Sequence, residues 1–116
     1  MSVEVKDSIL QSVKKKLNIP ADHTEFDIDI LAHINTTFAK LHQMGVGPEE
    51  VFQISDENST WDEFIEDNSE RLMVDSYMWL SVRMLFDPPT GSVATQYQEL
   101  IREYEWRLNV TDDWED

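Results

Sequence analysis

The chain has no cysteine, only three glycines and four prolines, and nine Lys and Arg residues against 24 Asp and Glu. Each scarcity excludes something. Without cysteine there is no disulfide staple, no thiolate zinc site and no cysteine nucleophile, and the redox compartment leaves no trace. With a formal charge of −15 at pH 7, the protein is not built to neutralise nucleic-acid phosphates or to dock on anionic lipid, both of which need clustered bases. No stretch approaches the ~18 uncharged apolar residues of a membrane span, and residues 1–7 lack the apolar run of a secretion signal. The sequence therefore predicts a protein made and kept in a soluble compartment.

What is present is enough to fold. Of the 116 residues, 41% are hydrophobic and 10% aromatic, so the acidity is not that of a disordered, solvating chain, and the length supports one domain with one modest core. The few Gly and Pro gather at Pro20, at 45–48 and at 88–91, leaving helix-length stretches between them.

Asp7 or Ser8 can cap a first helix with Ile9, Leu10, Val13 and Leu17 on its apolar side and Lys14, Lys15 and Lys16 near its end, where cations suit the helix dipole. Pro20 is expected to end it. A second helix begins between Thr24 and Asp27, lines up Ile30, Leu31, Ile34, Phe38 and Leu41, and stops at Gly45. Periodicity fails over 45–58, where Val51, Phe52 and Ile54 read as apolar pegs on a loop with room for a short strand. Thr60-Trp61-Asp62-Glu63 has the form of a capping box opening a short third helix to about Glu66. A fourth helix starts at Asn68 or Ser69, carries Leu72, Met73, Tyr77, Leu80, Met84 and Leu85, and ends at Asp87-Pro88-Pro89. Ser92 caps the last, whose apolar positions are Val93, Tyr97, Leu100, Ile101, Tyr104 and Leu108.

The expected fold is all-α: a small four- to five-helix bundle with one long irregular loop over 45–58 and an extended acidic C-terminal tail. Residues 1–110 form a single domain and 111–116 the tail. Trp114 is the one aromatic there, among four carboxylates. The segment is either a frayed terminus, favoured for an isolated monomer, or an arm that orders when a partner supplies a pocket for the indole.

Catalytic chemistry has little to stand on. His23, His33 and His42 invite a search for a metal site with Asp27 and Asp29, but neither His33 nor His42 has an acidic residue three positions before it. Asp29 and His33 are explained more simply as an i, i+4 pair. Carboxylate pairs such as Glu49-Glu50, Glu66-Asp67 and Asp112-Asp113 are too numerous for any one to mark an acid–base dyad. Gly45-Val46-Gly47-Pro48 lacks the Lys of a phosphate cradle and reads as a helix stop and turn. No catalytic residue, cofactor or metal ligand is therefore singled out.

Trp61, Phe64, Tyr77, Trp79, Phe86 and Trp106 sit at helical spacing among carboxylates rather than cations, which fits core and interface positions better than a platform for bases. Trp79 and Trp106 fall off the apolar stripes of their helices. With Trp114 they are the candidate interface residues.

The order of features resembles the head-tail connector (adaptor) proteins of long-tailed bacteriophages. The resemblance is carried by Val13 to Pro20, the helix from Phe26-Asp27 to His33-Ile34-Asn35, Gly45-Val46-Gly47-Pro48, Thr60-Trp61, Arg83-Met84-Leu85-Phe86-Asp87-Pro88-Pro89 and Tyr104-Glu105-Trp106-Arg107-Leu108, and it reaches to about Val110. It implies a virion structural protein rather than an enzyme, assembled in the host cytoplasm. Such a protein forms a homo-oligomeric ring under the portal protein, extends the DNA channel and receives a head-completion or tail-terminator protein. The resemblance brings no catalytic or ligand positions. It implies that the last helix and 109–116 contribute to contacts with the portal and with neighbouring subunits.

The charges are compatible with that role. DNA would be passing cargo, repelled by a carboxylate-lined wall. Lys6 and Lys14 to Lys16 supply four of the nine bases near one end, whereas over 18–66 only Lys40 opposes eleven acids. A ring built by head-to-tail repetition can use such an asymmetry, with carboxylates of 18–66 on the inner wall. Charge alone fits equally well an acidic inhibitor that mimics DNA and occupies a host enzyme's phosphate groove. An enzyme has only the three histidines in its favour.

Overall fold

The computed structural model describes residues 8–66 and 69–114, with side chains as far as residue 109, and the chain there is helix and loop. Five helices follow one another: α1 (Ile9–Lys16), α2 (Asp27–Gln43), α3 (Trp61–Phe64), α4 (Ser69–Phe86) and α5 (Gly91–Trp114). Among the described residues the only strand-like pairing is an isolated antiparallel bridge between Ser8 and Thr60. The expected all-α bundle is the observed one.

Local chemistry sets the boundaries. The Ser8 hydroxyl accepts from the Gln11 amide at 3.2 Å and caps α1. The stop is not Pro20, as the sequence predicts, but Asn18, which takes a left-handed φ of 64°. Its amide donates to Lys15 O at 3.1 Å and the Ile19 amide to Lys14 O at 2.9 Å, the double closure of a Schellman turn. α2 ends in the same way around Gly45, where φ is 81°, with the Gly45 amide on His42 O and the Val46 amide on Leu41 O. The Thr60–Glu63 capping box forms, Glu63 accepting from the Thr60 amide at 3.0 Å. α3 then closes at Phe64 rather than Glu66, because Ile65 is already extended.

α4 is the central element, with α2 and α5 packed along it and α1 leaning on α2 and α4. This position corrects its expected apolar stripe. Val74, Tyr77, Met78, Leu80, Ser81 and Val82 are buried, whereas Leu72 is 75% and Leu85 47% exposed. Tyr77 and Leu80 of the expected stripe are buried, and because two helices pack on α4 it also buries Val74, Met78 and Val82, which a single stripe omits. α5 has the opposite problem. It covers α4 from one side only, so Leu108 is buried, Tyr97, Ile101 and Tyr104 are half-buried, and Val93 and Leu100 remain exposed.

The long loop between α2 and α3 contains no strand. It is pinned by Asn35, whose side-chain amide donates to Ile54 O and accepts from the Ile54 amide, both at 2.9 Å. That two-point clasp supplies what a neighbouring strand would have given the backbone. Ile54 and Val46 are buried and Phe52 half-buried, while Val51 stays out. Phe52 meets Phe38 and Phe64 at ring-centroid distances of 5.1 and 5.3 Å, and Phe38 meets Phe64 at 4.6 Å. Trp61 completes this aromatic core and donates from Nε1 to Ser12 Oγ at 3.0 Å. Gly47 closes the loop against it. A Cβ there would lie 2.5 Å from the Phe64 ring, and its φ of 97° also favours glycine.

The C-terminal end differs from the extended tail expected. α5 runs on to Trp114 and begins at Gly91 rather than after a Ser92 cap. Thr111, Asp112 and Asp113 carry a hydroxyl and carboxylates but no helix breaker, so nothing in the sequence stops a helix already anchored by Leu108 on α4. Residues 115–116 lie outside the described residues.

Candidate functional site

The histidines are dispersed. His23 lies in the α1–α2 turn, where its carbonyl accepts from Lys14 Nζ at 2.6 Å. On α2 the His33 ring packs edge-on against Phe86 at 6.4 Å, which itself meets Phe26 at 5.5 Å. His42 places Nε2 2.9 Å from the Glu49 carbonyl, tying the end of α2 to the loop. The rings of His33 and His42 are thus used locally, and no group of three or more potential ligands is gathered for a metal among the described residues.

Lys14 was not recognisable as special from sequence. It is fully buried, with Nζ 2.8 Å from Asp27 Oδ1, 2.6 Å from His23 O and 3.3 Å from Ala21 O. Asp27 Oδ1 makes no aligned hydrogen bond of its own, so the contact is ionic, held by proximity. The ammonium gathers the whole α1–α2 turn around one charge. Of the three lysines, only Lys15 and Lys16 are left exposed.

Two other titratable groups are displaced by their surroundings. Burial pushes the Asp75 carboxyl up, against the opposing pull of Lys16 and Arg71. Tyr77 donates its hydroxyl to Glu105 Oε2 at 2.9 Å, bridging α4 and α5. Burial, together with that carboxylate, holds the phenol proton far above the ordinary tyrosine range. Both are packing features of the helix interfaces, and neither faces a partner group arranged for proton transfer to a substrate.

The surface offers more than the interior. Trp106 is 65% exposed on α5, where Leu100 and Val93 are exposed on a different side of the helix. Trp79 is half-buried and meets Tyr97 edge-to-face at 5.7 Å, so part of it already serves the α4–α5 contact. The side chain of Trp114 lies outside the described residues. Trp61, Phe64 and Tyr77 are core. Trp106 is thus the most exposed of the described tryptophans, a large apolar surface on the outside of the bundle.

Charge is unevenly spread on that surface. Of the eleven acids in 18–66, all but Asp27 are exposed, and Lys40 is the base among them. A cavity of about 470 Å³ lies between α1 and the turn after it, lined by Gln11, Lys15, Asn18, Ile19, Pro20 and Ala21.

A family model for phage connector proteins matches residues 9–115, from the first residue of α1 to just beyond the end of α5. The chain belongs to the phage connector protein family. No curated protein and no solved structure matches it. The connector is accordingly a structural component of a phage particle. Its dispersed histidines and its exposed, unevenly charged surface are in keeping with a protein that works through contacts. No helix among the described residues is long and apolar enough to cross a membrane.

Proposed function

We propose that the connector assembles head to tail into a ring beneath the portal protein, extends the DNA channel toward the tail, and receives a head-completion or tail-terminator protein. The observation that carries this reading is the family match over 9–115, which spans every helix of the bundle.

Two physical features support it. The exposed carboxylates of 18–66 would give a channel wall that repels DNA phosphates and lets the duplex slide, where a basic wall would hold it. Trp106, projecting from α5, supplies the kind of large amphipathic side chain that anchors a protein–protein contact. Trp79, at the α4–α5 seam, would be covered at the edge of the same contact, and Trp114, beyond it on the chain, would be left for a contact of its own. DNA is cargo in this scheme and binds nowhere on the protein.

Affinity purification of the tagged connector from infected cells tests the assignment. Recovery of portal protein is expected. Recovery of a host DNA-binding enzyme without portal would instead make the acidic surface a mimic of DNA.

A further inference from the structure

The three turns from Ser8 to Pro20 contain three lysines and no acid, in a chain whose net charge is −15. Lys14 is consumed internally by Asp27. Lys15 and Lys16 are exposed, and Lys15 forms one wall of the 470 Å³ cavity, whose floor is the apolar run Ile19, Pro20 and Ala21. Its volume falls within the ~300–1,000 Å³ of pockets that enclose small ligands or a large side chain. An apolar floor with the Lys15 ammonium as its charged wall calls for an occupant that is aromatic and acidic at once.

One segment of the chain has that composition. Residues 111–116 contain Trp114 flanked by Asp112, Asp113, Glu115 and Asp116, with no base. From the charge complementarity we infer that the Trp114 segment of one connector subunit docks in the Lys15–Ile19–Pro20–Ala21 groove of its neighbour, the indole on the apolar floor and the carboxylates against Lys15. The contact is between copies because α5 stays helical to Trp114 and packs on α4, so the segment does not turn back to its own α1. Such a contact joins two different faces of the subunit, the type of interface that repeats into a closed ring. It also removes the basic pole from the lumen and leaves the 18–66 carboxylates for it. The inference rests on the proposed ring and names which surfaces make it.

The absence of cysteine makes the test clean. Ala21→Cys and Glu115→Cys variants, each keeping Trp114, are mixed under mild oxidation at concentrations where the connector self-associates, alone or on portal. Disulfide-linked dimers should form in the mixture and not from either variant alone. In parallel, Lys15→Glu should weaken self-association about tenfold, since the attractive charge of the groove becomes repulsive. Mixing it with Asp112→Lys/Asp113→Lys should restore the contact. Circular dichroism confirms that these surface variants fold. Oligomers that form without the cross-link and ignore both charge reversals would overturn this contact while leaving the ring intact. A cross-link within a single Ala21→Cys/Glu115→Cys chain would overturn its intermolecular character. Absence of any association, even with portal, would remove the ring and the contact together.

Discussion

Replacing Lys14 by Met keeps most of the buried stem and removes the ammonium. Three oxygens then lose their shared partner: Asp27 Oδ1, His23 O and Ala21 O. Removing one member of a buried ion pair costs about 3–5 kcal/mol because the other charge is left uncompensated. Asp27 retains 22% side-chain exposure and can recruit water, which sets the cost near the lower end, about 3 kcal/mol. For a domain expected to be stable by about 5–15 kcal/mol, that is a large fraction. With a urea m-value of about 2 kcal/mol/M, the unfolding midpoint should fall by about 1.5 M. Fluorescence of the buried Trp61 reports the transition. The double variant Lys14→Met/Asp27→Asn, which also removes the stranded carboxylate charge, should recover part of the loss. A midpoint shift below about 0.3 M for Lys14→Met, at unchanged m, would refute the view that this ammonium organises the α1–α2 turn.

Other substitutions probe other parts of the molecule. Asn35→Ala removes both hydrogen bonds to Ile54 and strands two backbone groups, so it should cost about 2–3 kcal/mol in thermal or urea unfolding and speed hydrogen exchange at the Ile54 amide. For Asp75, burial favours the protonated form in the folded chain. The stability this group contributes is thus full below about pH 4 and is lost as pH rises through its elevated folded-state pKa. Asp75→Asn should accordingly be more stable than wild type at pH 7, with the advantage vanishing in acid; an advantage independent of pH would contradict the assignment. Trp106→Ala, at a 65% exposed position, should change unfolding by no more than about 0.5 kcal/mol yet impair assembly with portal. A variant that assembles normally would release Trp106 from the interface.

The helix order was legible because the punctuation is chemical: the Ser8 cap, the Thr60–Glu63 box, Gly45 and the Asp87-Pro88-Pro89 stop each act within a few residues of themselves. What stayed hidden depends on neighbours distant in sequence. The α4 stripe is incomplete in the sequence because both α2 and α5 pack on that helix and add Val74, Met78 and Val82 to its buried positions. Lys14 reads as one of three dipole-complementing lysines until Asp27 and the two carbonyls are brought over it. Asn35 likewise gives no sign that it substitutes for a strand partner of Ile54. At the end of α5 the acidic composition suggests extended chain, although Asp and Thr only weaken a helix that packing sustains. Of the candidate interface residues, Trp106 could be picked out by its position off the apolar stripe, and it projects into solvent. Trp79, chosen on the same ground, is partly spent on Tyr97, a contact across two helices. The groove beside Lys15 could not be anticipated, since it is made by the left-handed turn at Asn18.

The most direct test is electron cryomicroscopy of the connector mixed with its cognate portal. The expected result is an additional coaxial ring of connector subunits on the portal, its inner wall lined predominantly by carboxylates from 18–66, with α1 lysines at subunit contacts. Portals that acquire no such ring under conditions where tails otherwise join, or a ring whose lumen is dominated by lysine and arginine, would contradict it.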